Sequence, residues 1–170
     1  MSSRSCRERG PADDEAIRRL NDLAFAGPYE SRLIEDLRAA NLAAVELVAV
    51  EQAEIVGHIL FSVLAVTVDQ KSIRALALAP MSVRPDRQRC GIGSALVRTG
   101  LACAREGGWQ VVIVLGHPEY YPRFGFSAEL ARPLKSPFSG NAFMALEMEP
   151  GALRGGNGRV VYPPAFGIAS

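Results

Sequence analysis

The chain has 170 residues and a formal net charge of +1, with 48% hydrophobic and 22% charged residues. These values fit one soluble globular domain with a full core, and the near-neutral charge argues against nucleic acid and anionic membranes as partners. Cys6, Cys90 and Cys103 lack metal-site spacing, and apolar runs are no longer than a strand. The sequence therefore predicts no metal centre, no membrane span and a cytoplasmic location.

The first half of the chain predicts a short strand, two helices and an antiparallel sheet. A strand is expected around residues 5–9, and the acidic residues 13–15 favour a helix start, which the helix dipole stabilises. Gly27 and Pro28 end this helix, and a second helix covers about residues 31–40. The inward residues of the first helix are Ile17, Leu20 and Ala24. Three antiparallel strands follow at residues 45–50, 55–66 and 75–83.

A short loop with two glycines, residues 88–93, joins the third of these strands to a long helix that begins at Ile92. The first-turn amides of such a helix have no partner within the helix, and the dipole adds partial positive charge there. Gly91 and Gly93 let the backbone approach a phosphate without a Cβ in the way. The loop therefore predicts an anion site. The apolar face of the helix is expected to comprise Ile92, Ala95, Leu96, Thr99, Ala102 and Cys103.

Three phosphate-binding patterns compete for this loop. A dinucleotide fingerprint needs a third glycine at position 96, where Leu96 stands, and a nucleoside-triphosphate loop needs a lysine that the loop lacks. The third pattern, Gln/Arg-x-x-Gly-x-Gly/Ala, is the pyrophosphate loop of the GCN5-related N-acetyltransferases. The loop matches this pattern at every specified position.

The second half of the chain continues the sheet. Residues 109–115 are nearly all apolar and predict a strand buried on both faces, parallel to strand 75–83 through a right-handed crossover. The aromatic segment 119–126 predicts a short helix or turn, with Pro122 in its first turn. Residues 142–148 are expected to form the last strand. A Gly/Pro-rich tail, residues 150–170, completes a single domain that spans residues 1–170.

With the glycine loop and the sequence Tyr-Pro-Arg-Phe-Gly-Phe at 121–126 both in view, the chain resembles the GCN5-related N-acetyltransferase (GNAT) superfamily. More narrowly, it resembles the YhbS-like predicted N-acetyltransferases, over nearly its whole length. The resemblance implies an α/β fold (α+β mixed sheet), in which a central mixed β-sheet with splayed parallel strands is flanked by helices. It also implies acetyl-CoA as cofactor and direct acetyl transfer to an amine through a tetrahedral intermediate.

The same resemblance implies how the cofactor is held. Pro80 lacks an N–H, so a break in the strand ladder is expected near it, and the neighbouring backbone would pair with the pantetheine arm. The loop amides would hold the pyrophosphate, so that the grip is mostly main-chain. The implied cofactor-binding residues are Met81, Ser82, Val83, Gln88, Arg89, Cys90, Gly91, Ile92, Gly93, Ser94 and His117.

Tyr121 stands where the family carries its usual general acid, four residues before Gly125. In that role it would protonate the departing thiolate. The alternative is a core aromatic beside Phe124 and Phe126, with Tyr120 as the neighbour that could take over the role.

The general base stays open. Many relatives carry a glutamate on the central strand, but residues 73–83 contain no carboxylate. His58, His117 and Glu119 are candidates, and an amine with a low pKa would need no dedicated base.

Tyr29 and Glu30 lie between the two predicted helices, where the superfamily builds its acceptor pocket, so they are expected to bind the substrate. The leading interpretation is acetylation of a small-molecule or amino-acid-like amine. Acetylation of a protein or aminoacyl-tRNA, and a non-catalytic acyl-CoA sensor, are the alternatives. A homodimer that shares a sheet edge through residues 160–162 also stays open.

Overall fold

The structure is a computed structural model that describes residues 3–168. The strands of this part of the chain are β1 (Arg4–Glu8), β2 (Ala43–Glu51), β3 (Glu54–Val68), β4 (Lys71–Val83), β5 (Val111–Leu115), β6 (Leu134–Lys135), β7 (Phe143–Glu147) and β8 (Gly158–Val161). The helices are α1 (Asp14–Phe25), α2 (Tyr29–Ala39), α3 (Ile92–Glu106) and α4 (Ala128–Ala131). The strands form an open mixed sheet in the order β1-β2-β3-β4-β5-β7, with β8 paired to β3 and β6 paired to β8. The mixed α/β architecture is the predicted one.

The chain forms two compact units. The first contains the residues up to Phe61 together with Ala79–Cys103, and the second contains Ser62–Leu78 and the residues from Ala104 onward. The long strands β3 and β4 run through both units. The single domain over residues 1–170 stays a prediction. None of the helices in the described range 3–168 is long and apolar enough to cross a membrane.

In the first unit, β1 pairs antiparallel to β2, and β2 and β3 form the predicted hairpin. Gln52 and Ala53 join the hairpin with φ angles of 53° and 63°. Two consecutive left-handed residues match the twist of the strands they connect. Helix α1 buries Ile17 and Leu20 as predicted, whereas Ala24 is only half-buried.

Helix α2 begins two residues earlier than predicted, at Tyr29 directly after Pro28. Tyr29 and Glu30 therefore lie in its first turn and not between the helices. A proline is tolerated at a helix start because the first N–H groups have no helical acceptor. The carboxylate of Glu30 is also favoured there by the helix dipole.

The buried face of α3 differs from the predicted one. Ile92 and Leu96 are buried as expected, but Ala102 is exposed. The buried face includes Gly100, which an apolar count does not weigh. Its backbone packs against the fully buried Phe61 of β3, because a Cβ on Gly100 would lie 2.2 Å from Cε1 of that ring. The other buried residues of the face are Val97, Gly100, Leu101 and Ala104, while Ala95, Thr99 and Cys103 are half-buried.

In the second unit, β4 and β5 form the predicted parallel ladder, which covers the three pairs from Ala75–Val111 to Ala77–Ile113. Strand β7 then pairs antiparallel to β5. It is not the last strand, because β8 follows and lies between β3 and β6. Helix α4 and strand β6 were not predicted.

Candidate active site

The loop between β4 and α3, together with the first turn of α3, carries the predicted cofactor-binding residues from Gln88 to Ser94, which belong to the first unit. A turn of 3-10 helix, Pro85–Arg87, leads into exposed residues 88–91. Arg89 and Gly91 have φ angles of 64° and 83°, so the backbone turns sharply in front of the helix. The amide of Ala95 donates to the carbonyl of Gly91 at 3.0 Å. Ile92 and Gly93 precede this hydrogen bond and thus belong to the turn whose amides have no acceptor within the helix.

Two strand residues hold the loop in place. Arg4 of β1 donates from Nη1 to the carbonyl of Cys90 at 3.0 Å, and its Nε donates to Glu51 at 3.4 Å. Glu51, at the end of β2, also forms an ion pair with Arg87. The Arg87 guanidinium beside Glu51 lowers the pKa of that carboxyl. These contacts fix the loop from the side of β1 and β2.

Within the loop, the side chains of Gln88 and Cys90 have structural partners. Gln88 Nε2 donates to the carbonyl of Val83 at 3.2 Å, which closes the turn at the end of β4. The Cys90 thiol contacts the carbonyl of Gln88 at 3.5 Å. Arg89, by contrast, is exposed and has no ion-pair partner among residues 3–168. Its charge is available to an incoming anion.

Strand β4 continues for six residues beyond its last pair with β5, as far as Val83. Ser82 is only 4% exposed, and its hydroxyl has no hydrogen-bond partner within the described part of the chain. A buried hydroxyl without a partner costs about 1–3 kcal/mol. A polar ligand group beside this part of β4 would remove that cost.

Tyr121 lies in the second unit, at the start of a 3-10 turn, Tyr121–Phe124, with Pro122 in the predicted first-turn position. Its ring is 7% exposed and packs edge-to-face against Phe126, with 5.7 Å between the ring centres. A Cβ on Gly116 would lie 2.4 Å from Cε2 of the same ring, so the ring needs a glycine there. Burial raises the pKa of Tyr121 to about 12, with a smaller contribution from Tyr120. The phenol is therefore protonated at neutral pH.

His117 sits in the turn between β5 and Tyr121. Its carbonyl accepts hydrogen bonds from the amides of Tyr120 and Tyr121 at 3.1 and 3.3 Å, and its side chain is exposed. Glu119 in the same turn is exposed as well. The backbone of His117 thus helps to place Tyr121.

His58, the third candidate base, is fully buried on β3. Its Nε2 lies 2.7 Å from Oε2 of Glu46, and its Nδ1 lies 3.5 Å from the side-chain amide of Asn21. Burial lowers the pKa of His58, although Glu46 acts in the opposite direction. With both ring nitrogens engaged inside the first unit, His58 has a structural role.

Tyr29 and Glu30 are placed differently from each other: Tyr29 is 56% exposed and Glu30 is half-buried. A cavity of about 520 Å³ lies along α1 in the first unit, with Leu23 and Arg84 in its lining. Tyr29 and Glu30 are not among the described residues that line it.

Sequence reasoning missed the loop anchors Arg4 and Glu51 and the close contact of Gly116 with Tyr121. The anchors pair residues 47 and 86 positions apart, and such distant pairs leave no local pattern. A glycine directly after a buried strand was a usable signal for Gly116, because it indicates close approach of another group.

The chain is similar to known proteins over most of its length. A family model described as an acetyltransferase (GNAT) domain matches residues 6–128. The uncharacterized N-acetyltransferase YjhQ of Escherichia coli K12 is 38% identical over 117 residues, which cover 68% of this chain and 65% of that protein. The uncharacterized N-acetyltransferase YhbS of the same strain is 30% identical over 159 residues, which cover 92% and 94% of the two chains.

Solved structures show the same likeness. The crystal structure of E. coli YhbS in complex with CoA matches with a TM-score of 0.89 at 28% identity, covering 100% of this chain and 95% of that one. A GNAT family acetyltransferase from Brucella melitensis, crystallised with acetyl-CoA, matches with a TM-score of 0.78 at 33% identity, covering 96% and 98%.

Proposed function

This chain belongs to the acetyltransferase (GNAT) family, and we propose that it transfers the acetyl group of acetyl-CoA to a primary amine of a small molecule or amino-acid-like acceptor. The family makes it an acetyl-CoA-dependent N-acetyltransferase, while the acceptor class and the residue roles are our proposal. The observation that supports acetyl-CoA as the acyl donor is the exposed, anchored loop in front of α3. That loop offers first-turn amides and the charge of Arg89 to a diphosphate.

The residues of the first unit fit CoA on two observations. The loop is exposed from Gln88 to Gly91, and a Cβ on Gly91 would meet no atom closer than 4.0 Å, so a phosphate can approach its backbone. The buried hydroxyl of Ser82 lacks a partner among the described residues, and pantetheine carries amide groups that could supply one. When bound, acetyl-CoA supplies an acyl group activated as a thioester. The residues proposed to hold it are Met81, Ser82, Val83, Gln88, Arg89, Cys90, Gly91, Ile92, Gly93, Ser94 and His117.

We assign these residues different roles in cofactor binding. The backbone from Arg89 to Ser94 holds the diphosphate, and the backbone of Met81 and Val83 pairs with the pantetheine arm. The Gln88 side chain keeps the turn closed through the carbonyl of Val83. The grip is therefore mostly main-chain and depends on the loop keeping its shape.

Tyr121 is proposed as the general acid. Because burial raises its pKa to about 12, its Oη keeps the proton that the departing sulfur requires across the ordinary assay range. The packing of its ring against Phe126 and Gly116 holds this hydroxyl in one orientation.

Tyr29 and Glu30 are proposed to bind the acceptor. An exposed aromatic ring beside a carboxylate in the first turn of α2 suits an amine, because the ring contacts the apolar part and the carboxylate attracts the ammonium form. The amine must lose its proton before attack. We assign no base, since His58 has a structural role and both His117 and Glu119 are exposed.

The test is a thiol-release assay with acetyl-CoA and a panel of amines, run beside calorimetric titration with CoA. We expect saturable CoA binding, turnover of at least one small amine, and loss of that turnover in Glu30→Ala. Arg32→Ala, two residues further along α2 at an exposed position, is the matched control and should keep its activity.

CoA binding without turnover of any amine would favour an acyl-CoA sensor and contradict the proposal. Turnover only of peptides or aminoacyl-tRNA would contradict the small-molecule acceptor. Full activity of Glu30→Ala on every substrate would remove Glu30 from the acceptor site.

A further inference from the structure

The second unit contains a separate cavity of about 400 Å³ beside β6 and β8. Two cationic side chains, Lys135 and Arg159, line it together with the apolar or aromatic side chains of Val161, Tyr162 and Ile168. None of the residues proposed above for acetyl transfer is in this lining.

The pairing of three strands explains how the two charges come together. Lys135 of β6 stands directly beside Arg159 of β8 in a parallel register, and Arg159 stands opposite Thr67 of β3. The neighbouring pair, Leu134 and Gly158, is buried, so the alternation of side chains puts Lys135 and Arg159 together on the exposed face. A hydroxyl and two cations thus form one row across the sheet.

This row is electrostatically unfavourable as it stands. Like charges at directly opposite positions of a ladder destabilise the sheet. Neither Lys135 nor Arg159 has an ion-pair partner in the described part of the chain. By contrast, five arginines of the first unit each have a carboxylate partner: Arg7, Arg9, Arg38, Arg84 and Arg87. An anion placed between Lys135 and Arg159 would turn the repulsion into attraction.

The remaining lining of the cavity is mostly apolar and aromatic, which favours an anion that also carries an apolar chain. Val161 is 52% exposed although it is apolar, and it lies on the same face of β8 as Arg159. The ring of Tyr162 is held edge-to-face between Phe138 and Phe166, at 5.3 and 5.2 Å between ring centres. The apolar side chains therefore line the same cavity as the two cations.

We propose that this cavity binds a small amphiphilic organic anion, with its carboxylate or phosphate between Lys135 and Arg159 and its apolar chain along Val161 and Tyr162. The charge of the two cations provides the complementarity, and a volume of about 400 Å³ suits a single small ligand. The site is independent of the acetyl-transfer proposal, since it uses none of its residues.

The test is calorimetric titration of the full chain in the presence of saturating CoA, so that the cofactor site cannot take up the probe. Decanoate and decyl phosphate are the probes, and decylamine has the same chain with the opposite charge. We expect one saturable site for decanoate, decyl phosphate or both, and none for decylamine. A preference between the two anions identifies the head group.

Variants locate the binding. Lys135→Gln and Arg159→Gln should each weaken the anion about tenfold, because each removes a charged hydrogen-bond donor. Arg105→Gln, an exposed arginine in the last turn of α3, is the matched control and should bind like the wild type. All three positions are exposed, and thermal unfolding should confirm that the variants fold. Absence of saturable binding by both anions, equal binding of decylamine, or unchanged affinity in both charge variants would overturn the proposal.

Discussion

At the scale of the residue, Tyr121 combines a buried ring with a proton that is hard to remove. We expect Tyr121→Phe to lower kcat about a hundredfold or more, since general acid catalysis commonly contributes that much. The KM for acetyl-CoA should stay within about twofold, because the proposed grip is mostly main-chain. Phenylalanine keeps the ring that packs against Phe126 and Gly116, so the free energy of unfolding should change by less than about 1 kcal/mol. Steady-state kinetics and urea unfolding measure the two effects.

Tyr120→Phe is the matched control, because it removes a neighbouring hydroxyl and keeps the ring. Its kcat should stay within about twofold of the wild type. If Tyr121→Phe retains full kcat, Tyr121 is a core aromatic, and if only Tyr120→Phe loses it, the acid is Tyr120. Because the pKa of Tyr121 is raised to about 12, the wild-type kcat should show no alkaline fall from this group below about pH 10.

At the scale of the element, the contact of α3 with β3 depends on Gly100. Alanine is favoured over glycine in a helix by about 1 kcal/mol, which alone would make Gly100→Ala stabilising. The new Cβ would lie 2.2 Å from the ring of Phe61, which is fully buried and cannot move aside. Overpacking of this kind costs about 1–3 kcal/mol, so after the gain in helix propensity we expect a net loss of up to about 2 kcal/mol in the free energy of unfolding. Urea denaturation measures it.

A double-mutant cycle separates the contact from other effects of the substitution. Phe61→Leu makes room, so Gly100→Ala should cost less, or even stabilise, in that background. Equal costs of Gly100→Ala with Phe61 and with Leu at position 61 would show that the contact is not the reason for the loss.

The loop before α3 is an element held by side chains of other strands. We expect Glu51→Gln to weaken CoA binding about fivefold, because Arg87 and Arg4 lose their shared carboxylate and the loop loses its anchor. The kcat at saturating acetyl-CoA should stay nearly constant. Glu15→Gln, which removes an exposed partner of Arg19, is the control and should bind CoA like the wild type. Calorimetric titration with CoA distinguishes the two variants, and equal affinities would contradict the anchoring role.

These elements also show what the sequence could predict. The inward residues Ile17 and Leu20 follow from helical periodicity, and the parallel pairing of β4 with β5 follows from the crossover rule; the structure confirms both. Strand β1 lies one residue before its expected position. The face of α3 was partly wrong, because a count of apolar residues gives no weight to a buried glycine. Helix α4 has four residues and β6 has two, so neither is long enough to show a period.

The candidate site also has a part that the sequence could predict and a part that it could not. Its loop was predictable because glycines, strand end and helix start are adjacent in the chain. The contacts that hold the loop were not predictable, since Arg4 donates a hydrogen bond to the carbonyl of Cys90, 86 positions away. The orphan hydroxyl of Ser82 is likewise a property of packing and not of sequence.

At the scale of the whole molecule, 19 basic and 18 acidic residues balance near neutral pH, so stability at low pH depends on individual buried groups. Burial raises the pKa of Glu46, but hydrogen bonds from His58 and Arg38 outweigh it and lower the pKa from 4.5 to about 2. A shift of this size corresponds to about 3 kcal/mol. The hydrogen bond from Arg7 lowers the pKa of Asp13 to about 2 in the same direction.

Each of these groups binds its proton less readily in the folded state than in the unfolded state, so each lowers the free energy of unfolding as the pH falls. The carboxylates stabilise the fold above their unfolded pKa values of 4.5 and 3.8, and this stability is lost as the pH falls towards 2. His58 has a pKa lowered from 6.5 by burial, so its contribution is present above pH 6.5 and begins to be lost below it. The free energy of unfolding should therefore fall in two stages, a shallow one below pH 6.5 from His58 and a steeper one below pH 4.5 from the carboxylates.

His58→Gln and Glu46→Gln separate the two stages. Glutamine at position 58 can still donate to Glu46 but does not titrate, so the shallow stage should disappear while the steep stage remains. Glu46→Gln should instead reduce the steep stage, because the carboxylate that pairs with Arg38 and His58 is gone. Urea unfolding from pH 8 to pH 3 measures both profiles. A His58→Gln profile parallel to that of the wild type between pH 6.5 and pH 4.5 would mean that other groups cause the early loss.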